Sequence, residues 1–279
     1  DFFVLVDHGI RSNSSKESRL VKSLLKKKKI NLIILKNKEK INKNIQSQAR
    51  DIRYKLLLNF CNKNKIKFIL TGHHRDDQIE TFLIRLSRGS GIQGLSSMKK
   101  VSSLSNNIKL IRPLLDEKKK DLFVFAKQYF GKIFKDPSNN NQKYLRTKIR
   151  GLIKQFEKNG IKPERIISSI NNLGITRDTL NSYILRVEKN CVTKKRKETA
   201  INLKKFLEEN GEIQLKVLSN CIKNVSKNYY HPRAKKITNL LNKLMSSEQL
   251  KGTLGGCVIQ KTRYNLLIYK EKLKKGLKN

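Results

Sequence analysis

Two histidines, two aspartates and a glutamate crowd one short stretch, Gly72-His73-His74-Arg75-Asp76-Asp77-Gln78-Ile79-Glu80. Imidazoles and carboxylates at this density suit proton transfer, or the holding of a cation between paired acids. The stretch starts where an apolar run, Phe68-Ile69-Leu70, is broken by Thr71-Gly72, and it runs on into the helical spacing of Ile79, Leu83 and Leu86. The acids therefore stand where a strand ends and a helix begins, the edge of an open α/β sheet at which ligands bind. His73 and Asp77 are four apart and Asp77 and Glu80 three apart, so all three can share one side of the first turns while Ile79 and Leu83 face inward. A structural role fits part of the same pattern: Asp76 can cap the helix, and Asp77 and Glu80 can complement its dipole. Spacing alone leaves both roles open.

The elements that must position these groups alternate in type. Residues 2–6 read as a strand that delivers Asp7-His8-Gly9-Ile10-Arg11 to the same edge, and Ser14 or Ser15 opens a helix to about residue 25. A strand over 30–35 follows, then a helix over 44–62 with Ile45, Ala49, Ile52, Leu56 and Phe60 on one face and Arg50 and Arg53 off it. Residues 88–94 carry three glycines, the composition of a C-cap and turn. A strand over 108–111 delivers Arg112-Pro113, and a helix over 116–129 turns Leu122, Phe125 and Ala126 inward. Asp136-Pro137-Ser138-Asn139 is turn chemistry, whereas Arg146 and Arg150, four apart on one helical face, suit the holding of phosphates. Alternation of strand and helix predicts an α/β fold, a doubly wound parallel sheet, over residues 1–150.

Beyond that the pattern changes to helices with lysine-rich faces, over 161–172, 176–190, 203–209, 213–217 and 233–245, punctuated by Gly174 and Gly211. The alternating stretches 252–259 and 264–269 predict a terminal β-hairpin, so residues 151–279 form a mainly helical second domain. The stretch Gly255-Gly256-Cys257 reads as a strand turn.

Gly72-His73-His74-Arg75-Asp76-Asp77-Gln78-Ile79-Glu80-Thr81-Phe82-Leu83, followed by Arg88-Gly89-Ser90-Gly91-Ile92-Gln93-Gly94-Leu95, closely resembles the signature of the tRNA(Ile)-lysidine synthetases, a family of the PP-loop (N-type) ATP pyrophosphatases. Val6 to Arg11, Gln48 to Tyr54, Arg112-Pro113-Leu114-Leu115, and Asp136 to Asn139 with Tyr144, Arg146 and Arg150 fit the resemblance in the expected order. It implies a Rossmann-like, adenine nucleotide α-hydrolase-like sheet in 1–150 and a tRNA-binding domain in 151–279. The implied reaction uses ATP to adenylate the wobble cytidine of the isoleucine tRNA with a CAU anticodon, and free L-lysine then attacks to give lysidine. Magnesium would enter with ATP, held mainly by phosphates. No metal site built from side chains is expected.

By the same resemblance Asp77, Glu80 and His73 are the catalytic residues, and Asp77, Glu80, Arg53 and Arg50 bind lysine. His8, Arg11, Gly72, His73 and Arg112 line the ATP site, and Arg88, Arg146 and Arg150 contact tRNA or phosphate. The family further implies a cytoplasmic protein with no membrane partner and admits a homodimer. A tRNA 2-thiocytidine synthetase is the alternative within the superfamily, and its sulfur chemistry needs the paired cysteines that Cys61, Cys191, Cys221 and Cys257 do not provide. A basic RNA-binding relative without catalysis is the alternative from another class, and the acids of 76–80 argue against it, since acids gain nothing against RNA phosphates. The superfamily's phosphate loop, Ser-Gly-Gly-X-Asp-Ser, is missing from these residues, and the chain opens on Asp1 rather than Met. The expectation is an N-terminally truncated chain that binds ATP poorly by itself.

Composition sets the outer bounds. Lys and Arg number 63 against 22 Asp and Glu, a formal charge of +41 that draws polyanions and makes binding steeply salt-dependent. Codon bias is expected to account for part of that charge, since Lys, Asn and Ile recur throughout, even on plain solvated faces such as Lys26 to Lys29. No apolar run approaches the ~20 residues of a membrane span. Four cysteines without paired spacing indicate neither a zinc site nor a disulfide framework, which suits a reducing cytosol.

Overall fold

The computed structural model describes residues 1–10, 13–39, 41, 45–105, 107–134, 144–196, 198–227, 231–247 and 249–271. It divides into two compact units, Asp1–Gly174 and Ile175–Asn279, the division falling inside one long helix, α7 (Pro163–Cys191).

In the first unit β1 (Phe3–Asp7) pairs in parallel with β2 (Leu32–Lys36), in register from Phe3 opposite Leu32 to Asp7 opposite Lys36, with α1 (Ser14–Lys27) as the crossover. After α2 (Ile45–Lys63), β3 (Phe68–Leu70) pairs in parallel with β5 (Lys109–Ile111), and β4 (Val101–Ser103) lies antiparallel on the far side of β5. The parallel, wound plan expected from the sequence is thus present as two ladders. Among the described residues no ladder joins β1 to β3. Side chains of α2, namely Tyr54, Leu57, Leu58 and Cys61, pack with Ile69, Leu104, Ile108 and Leu110. A second core fixes α3 (Arg75–Leu86) through Ile79 and Leu83 to Ile149 of α6 (Leu145–Lys158) and to Ile166 and Ile170 of α7.

These contacts put α6 and the first turns of α7 in the first unit, whereas the sequence suggests a change of character near residue 150. Leu86 is 50% exposed, where α3 ends before the short α4 (Ile92–Leu95), instead of packing with Ile79 and Leu83. Phe125 of α5 (Lys119–Phe130) is also exposed rather than inward and stacks on Tyr129.

From Gly174 onward three local expectations are corrected. Gly174 does not end a helix: α7 runs through it, because a glycine within a helix costs only about 1 kcal/mol and apolar residues are buried on both sides, Ile170 before it and Ile184 after it. The helix expected over 213–217 extends to α9 (Gly211–Ser226). The hairpin expected from 252–259 and 264–269 is three strands, because the first stretch splits into β8 (Lys251–Leu254) and β9 (Cys257–Lys261) before β10 (Asn265–Lys270), and with β6 (Val192–Lys194) and β7 (Glu198–Asn202) they form a five-stranded antiparallel sheet ordered β6-β7-β10-β9-β8. Gly255 and Gly256, both at positive φ, make the β8–β9 turn that the sequence suggests. Phe206 of α8 (Leu203–Leu207), Val217, Leu218 and Ile222 of α9, and Ile237 of α10 (Ala234–Ser246) bury against Ile201, Ile259, Leu266 and Ile268 of that sheet. All four cysteines are free and buried, and burial pushes the Cys221 thiol up to about 12 and that of Cys191 up to about 11. Among the described residues no helix is long and apolar enough to cross a membrane.

Candidate functional site

Parallel strands present their carboxyl ends on one edge, and the chemistry collects there. At the end of β1 the buried Asp7 carboxylate accepts the Gly9 amide at 3.1 Å and the Ser15 hydroxyl at 2.6 Å, tying the turn to α1. Burial pushes its pKa up, but the Ser15 and Ser14 hydroxyls, the Gly9 amide and Lys36 outweigh it and leave the group below its usual value. Gly9 turns the chain at φ +66°, a region that side chains disfavour. His8 follows Asp7, and its Nε2 accepts from Arg53 at 3.3–3.4 Å. Burial first, and then the charge of Arg53, lowers the pKa of His8 and keeps the ring neutral, as an acceptor must be.

At the end of β3, Thr71 donates its amide to Ile111 O of β5, which aligns the two strand ends. Its hydroxyl lies 2.8 Å from His73 Nδ1. His73 is pushed down to about 4, mainly by burial; Asp77 opposes that change, and Arg112, Arg50 and Arg146 reinforce it. A Cβ built on Gly72 would meet nothing within 4 Å, so the strand end opens onto free space. The acid that closes the first turn of α3 is Asp77, whose Oδ2 accepts the His74 amide at 3.0 Å. Asp76 instead accepts, weakly, from the Lys119 amide at 3.4 Å. Glu80 is 2% exposed and meets Arg150 Nε at 2.6 Å and Arg146 Nε at 3.5 Å.

Arginines dominate the remainder. Arg112, buried at the end of β5, donates Nη1 to Lys99 O at 2.7 Å and to Ser102 Oγ at 3.0 Å. Arg50 lies over the Tyr54 ring at 5.0 Å. Burial lowers the pKa of Arg53 and of Arg112; Tyr54 opposes both changes, while the charge of Arg50 reinforces both and that of Arg146 reinforces the first. Arg50 thus sits within electrostatic reach of Arg53, Arg112 and the neutral His73, and Arg146 within reach of Arg53 and His73. Such a field favours a polyanion, above all the planar, bidentate recognition of phosphate oxygens.

The structure brings His8, Arg53, Gly72, His73, Asp77, Glu80, Arg50, Arg112, Arg146 and Arg150 to this edge. Arg88 is exposed in the turn after α3, and Arg11 and the stretch 136–139 lie outside the described residues. Among the described residues there is no group of three or more His, Cys, Asp or Glu that could hold a metal ion.

Sequence reasoning missed the supports. Gln78 locks the glycine-rich loop by donating to Met98 O at 2.9 Å and accepting from the Met98 amide at 2.8 Å. Arg85 donates to Gly94 O at 2.7 Å and Ser97 O at 3.2 Å. The sequence assigns neither residue a role: Gln78 stands only as a member of the Gly72 to Leu83 motif, and for Arg85 only the capacity of Arg for several donors hints at one.

Residues 2–156 match the family model described as the PP-loop domain. Among curated relatives, the tRNA(Ile)-lysidine synthase of Wolbachia pipientis wMel is 37% identical over 270 residues, covering 95% of this chain and 62% of the relative. That of Orientia tsutsugamushi (strain Boryong) is 34% identical over 275 residues, with 95% and 62% covered. That of Rickettsia typhi is 32% identical over 276 residues, with 97% and 63% covered. The chain therefore spans about 62% of the length of the curated relatives it matches. A solved structure, the U34-tRNA thiolase NcsA from Methanococcus maripaludis with its [4Fe-4S] cluster, is 20% identical with a TM-score of 0.49, covering 61% of each chain. A parallel-strand edge carrying this histidine, acid and arginine set lies wholly inside the matched residues, and the chain belongs to the PP-loop family.

Proposed function

We propose that the protein containing this chain makes lysidine in isoleucine tRNA, using ATP and free L-lysine. The observation that carries the reading is the likeness, along 95% of the chain, to relatives named tRNA(Ile)-lysidine synthase. The arginine cluster at the strand edge supports it from the side of chemistry. In the first step O2 of the wobble cytidine attacks the α-phosphorus of ATP; the new P–O bond forms as the α–β bridge breaks, and pyrophosphate leaves. In the second, the lysine ε-amine attacks C2, the C–O bond breaks with AMP leaving, and the ammonium proton passes to a base.

Each group has a place in that scheme. Arg112, Arg53 and Arg146 offset the charge that grows on phosphate oxygens. Gly72 leaves room for the nucleotide at the strand end, beside His8 and His73. His73, neutral near pH 7, serves as a hydrogen-bonding group rather than a charge. Asp77 is the acid placed to attract the lysine ammonium and take its proton, with Arg50 or Arg53 on the lysine carboxylate. Magnesium accompanies ATP. The partners are the CAU-anticodon isoleucine tRNA, free L-lysine and, as the family admits, a second copy of the chain, in the cytoplasm.

Pyrophosphate release and labelled-lysine incorporation, followed side by side on the tRNA transcript, test the reading. Asp77→Asn should cut lysine incorporation by ~10²–10⁴-fold while pyrophosphate release and ATP affinity change little. A joint loss of ATP binding and both signals would place Asp77 in the nucleotide site, and no lysine incorporation by the unaltered protein would refute the reading.

A further inference from the structure

The segment that leads from the glycine-rich loop into β4 is held by α3 on one side and holds Arg112 on the other. Gln78, itself buried, commits both ends of its amide to one residue: Nε2 donates to Met98 O at 2.9 Å, and Oε1 accepts the Met98 amide at 2.8 Å. Ser97, just before, stands at φ +56°, a left-handed backbone that side chains disfavour. Contacts from α3 keep it there. Its Oγ donates to Gln78 O at 3.2 Å, and Arg85 Nη1 donates to Ser97 O at 3.2 Å and to Gly94 O at 2.7 Å. One residue beyond Met98, Lys99 O accepts from Nη1 of Arg112 at 2.7 Å, and Ser102 Oγ of β4 accepts from the same nitrogen at 3.0 Å.

The direction of the Arg112 guanidinium therefore depends on where a loop carbonyl stands. Arg112 is 6% exposed, and its Nε hydrogen has no acceptor among the described residues, so the group keeps a buried donor for another molecule. A small movement of the carbonyl of Lys99 would turn that donor away. The chemistry of residue 78 fits the task of preventing it. A glutamine supplies one donor and one acceptor, which is what the carbonyl and the amide of Met98 require. A glutamate would turn a carboxylate toward Met98 O, and an apolar side chain would leave both backbone groups unpaired.

We infer that Gln78 and Ser102 are positioning residues for Arg112. Gln78 sets Lys99 O through its grip on Met98, Ser102 holds the same nitrogen from β4, and together they fix the guanidinium in the ATP site. The inference rests on the reading of Arg112 as an ATP-site residue under the proposed function. Neither residue touches the substrate, and both act through Arg112.

The test is a pair of double-mutant cycles in the protein containing this chain, read by equilibrium dialysis of labelled ATP. Gln78→Met and Ser102→Ala should each weaken ATP binding about three- to tenfold, the equivalent of one hydrogen bond, and each should add little once Arg112 is already alanine. The KM for lysine should stay within about twofold of the parent in both variants. A general loosening of α3 would raise that KM and would add in full to Arg112→Ala. Full additivity in both cycles overturns the inference, and so does normal ATP affinity in both variants while Arg112→Ala is impaired. Should Gln78→Met fail to fold, Ser102→Ala decides, since it lies outside α3 and leaves the grip on Met98 intact: unchanged affinity, or additivity with Arg112→Ala, then overturns the inference. Normal ATP affinity in Arg112→Ala would remove Arg112 from the ATP site and the inference with it. Failure of lysine incorporation with both cycles intact would count against lysidine synthesis and not against the roles of Gln78 and Ser102.

Discussion

His73 provides a measurable link between burial and pH. Its pKa falls from 6.5 to about 4, chiefly because burial disfavours the charged ring. The folded value lies below the unfolded one, so the contribution to stability is present above pH 6.5 and is lost as the pH falls toward 4. A tenfold loss of proton affinity corresponds to about 1.4 kcal/mol, and between pH 7 and pH 5 a depression of this size would remove about 2 kcal/mol. The ring keeps part of its surface in water, and solvent screening discounts the loss to about 1 kcal/mol. Burial also depresses His8 and His231, which adds a background drop of the same sign. His73→Gln removes one titration and retains a hydrogen-bonding partner for Thr71. Its loss of stability between pH 7 and pH 5 should therefore be smaller than the parent's by about 1 kcal/mol, read from urea melts at the two pH values. With only four histidines in the chain, NMR of labelled imidazoles can assign the pKa directly. A His73 pKa at or above 6.5, or equal losses in the two proteins, would refute the reasoning.

Other substitutions probe the supports. A Cβ on Gly94 would stand 2.6 Å from Ser90 Cβ, so Gly94→Ala should cost about 1–3 kcal/mol in thermal melts, and adding Ser90→Gly should recover much of it. In the second unit, Phe206 is fully buried, and Phe206→Ala should cost about 3–5 kcal/mol in a transition monitored by probes within residues 175–271. If the basic edge binds RNA phosphates, log affinity for tRNA should fall linearly with log salt, and Arg53→Glu should flatten that slope more than Lys27→Glu does.

Local chemistry was legible because it repeats within a few residues. An apolar triplet followed by Thr71-Gly72 and then acids at helical spacing marks the strand, the turn and the helix start, and β3 and α3 stand there. Strand 2–6 and helix 44–62 are likewise set by alternation and period, and their ends shift by only a residue or two. Collinear motifs from Val6 to Arg150 carry the family resemblance that the PP-loop match over 2–156 bears out. Sequence could not reveal β6 and β7, which are short: β6 pairs only with β7, and β7 joins the sheet by pairing with β10 across more than sixty residues, Glu198 opposite Tyr269 and Asn202 opposite Asn265.

Sequence determined which residue types reach the carboxyl edge, since side-chain identity and local backbone period need no distant partner. Tertiary structure decided what each of them does there. Asp77 closes a helix turn three residues away, a contact within sequence range, whereas Glu80 is claimed by Arg150 seventy residues on, and Gln78 and Arg85 by the backbone of a loop. The physical reason is desolvation: a buried carboxylate or guanidinium must find its partner wherever packing brings one, and packing is set by the whole unit rather than by its neighbours in the chain.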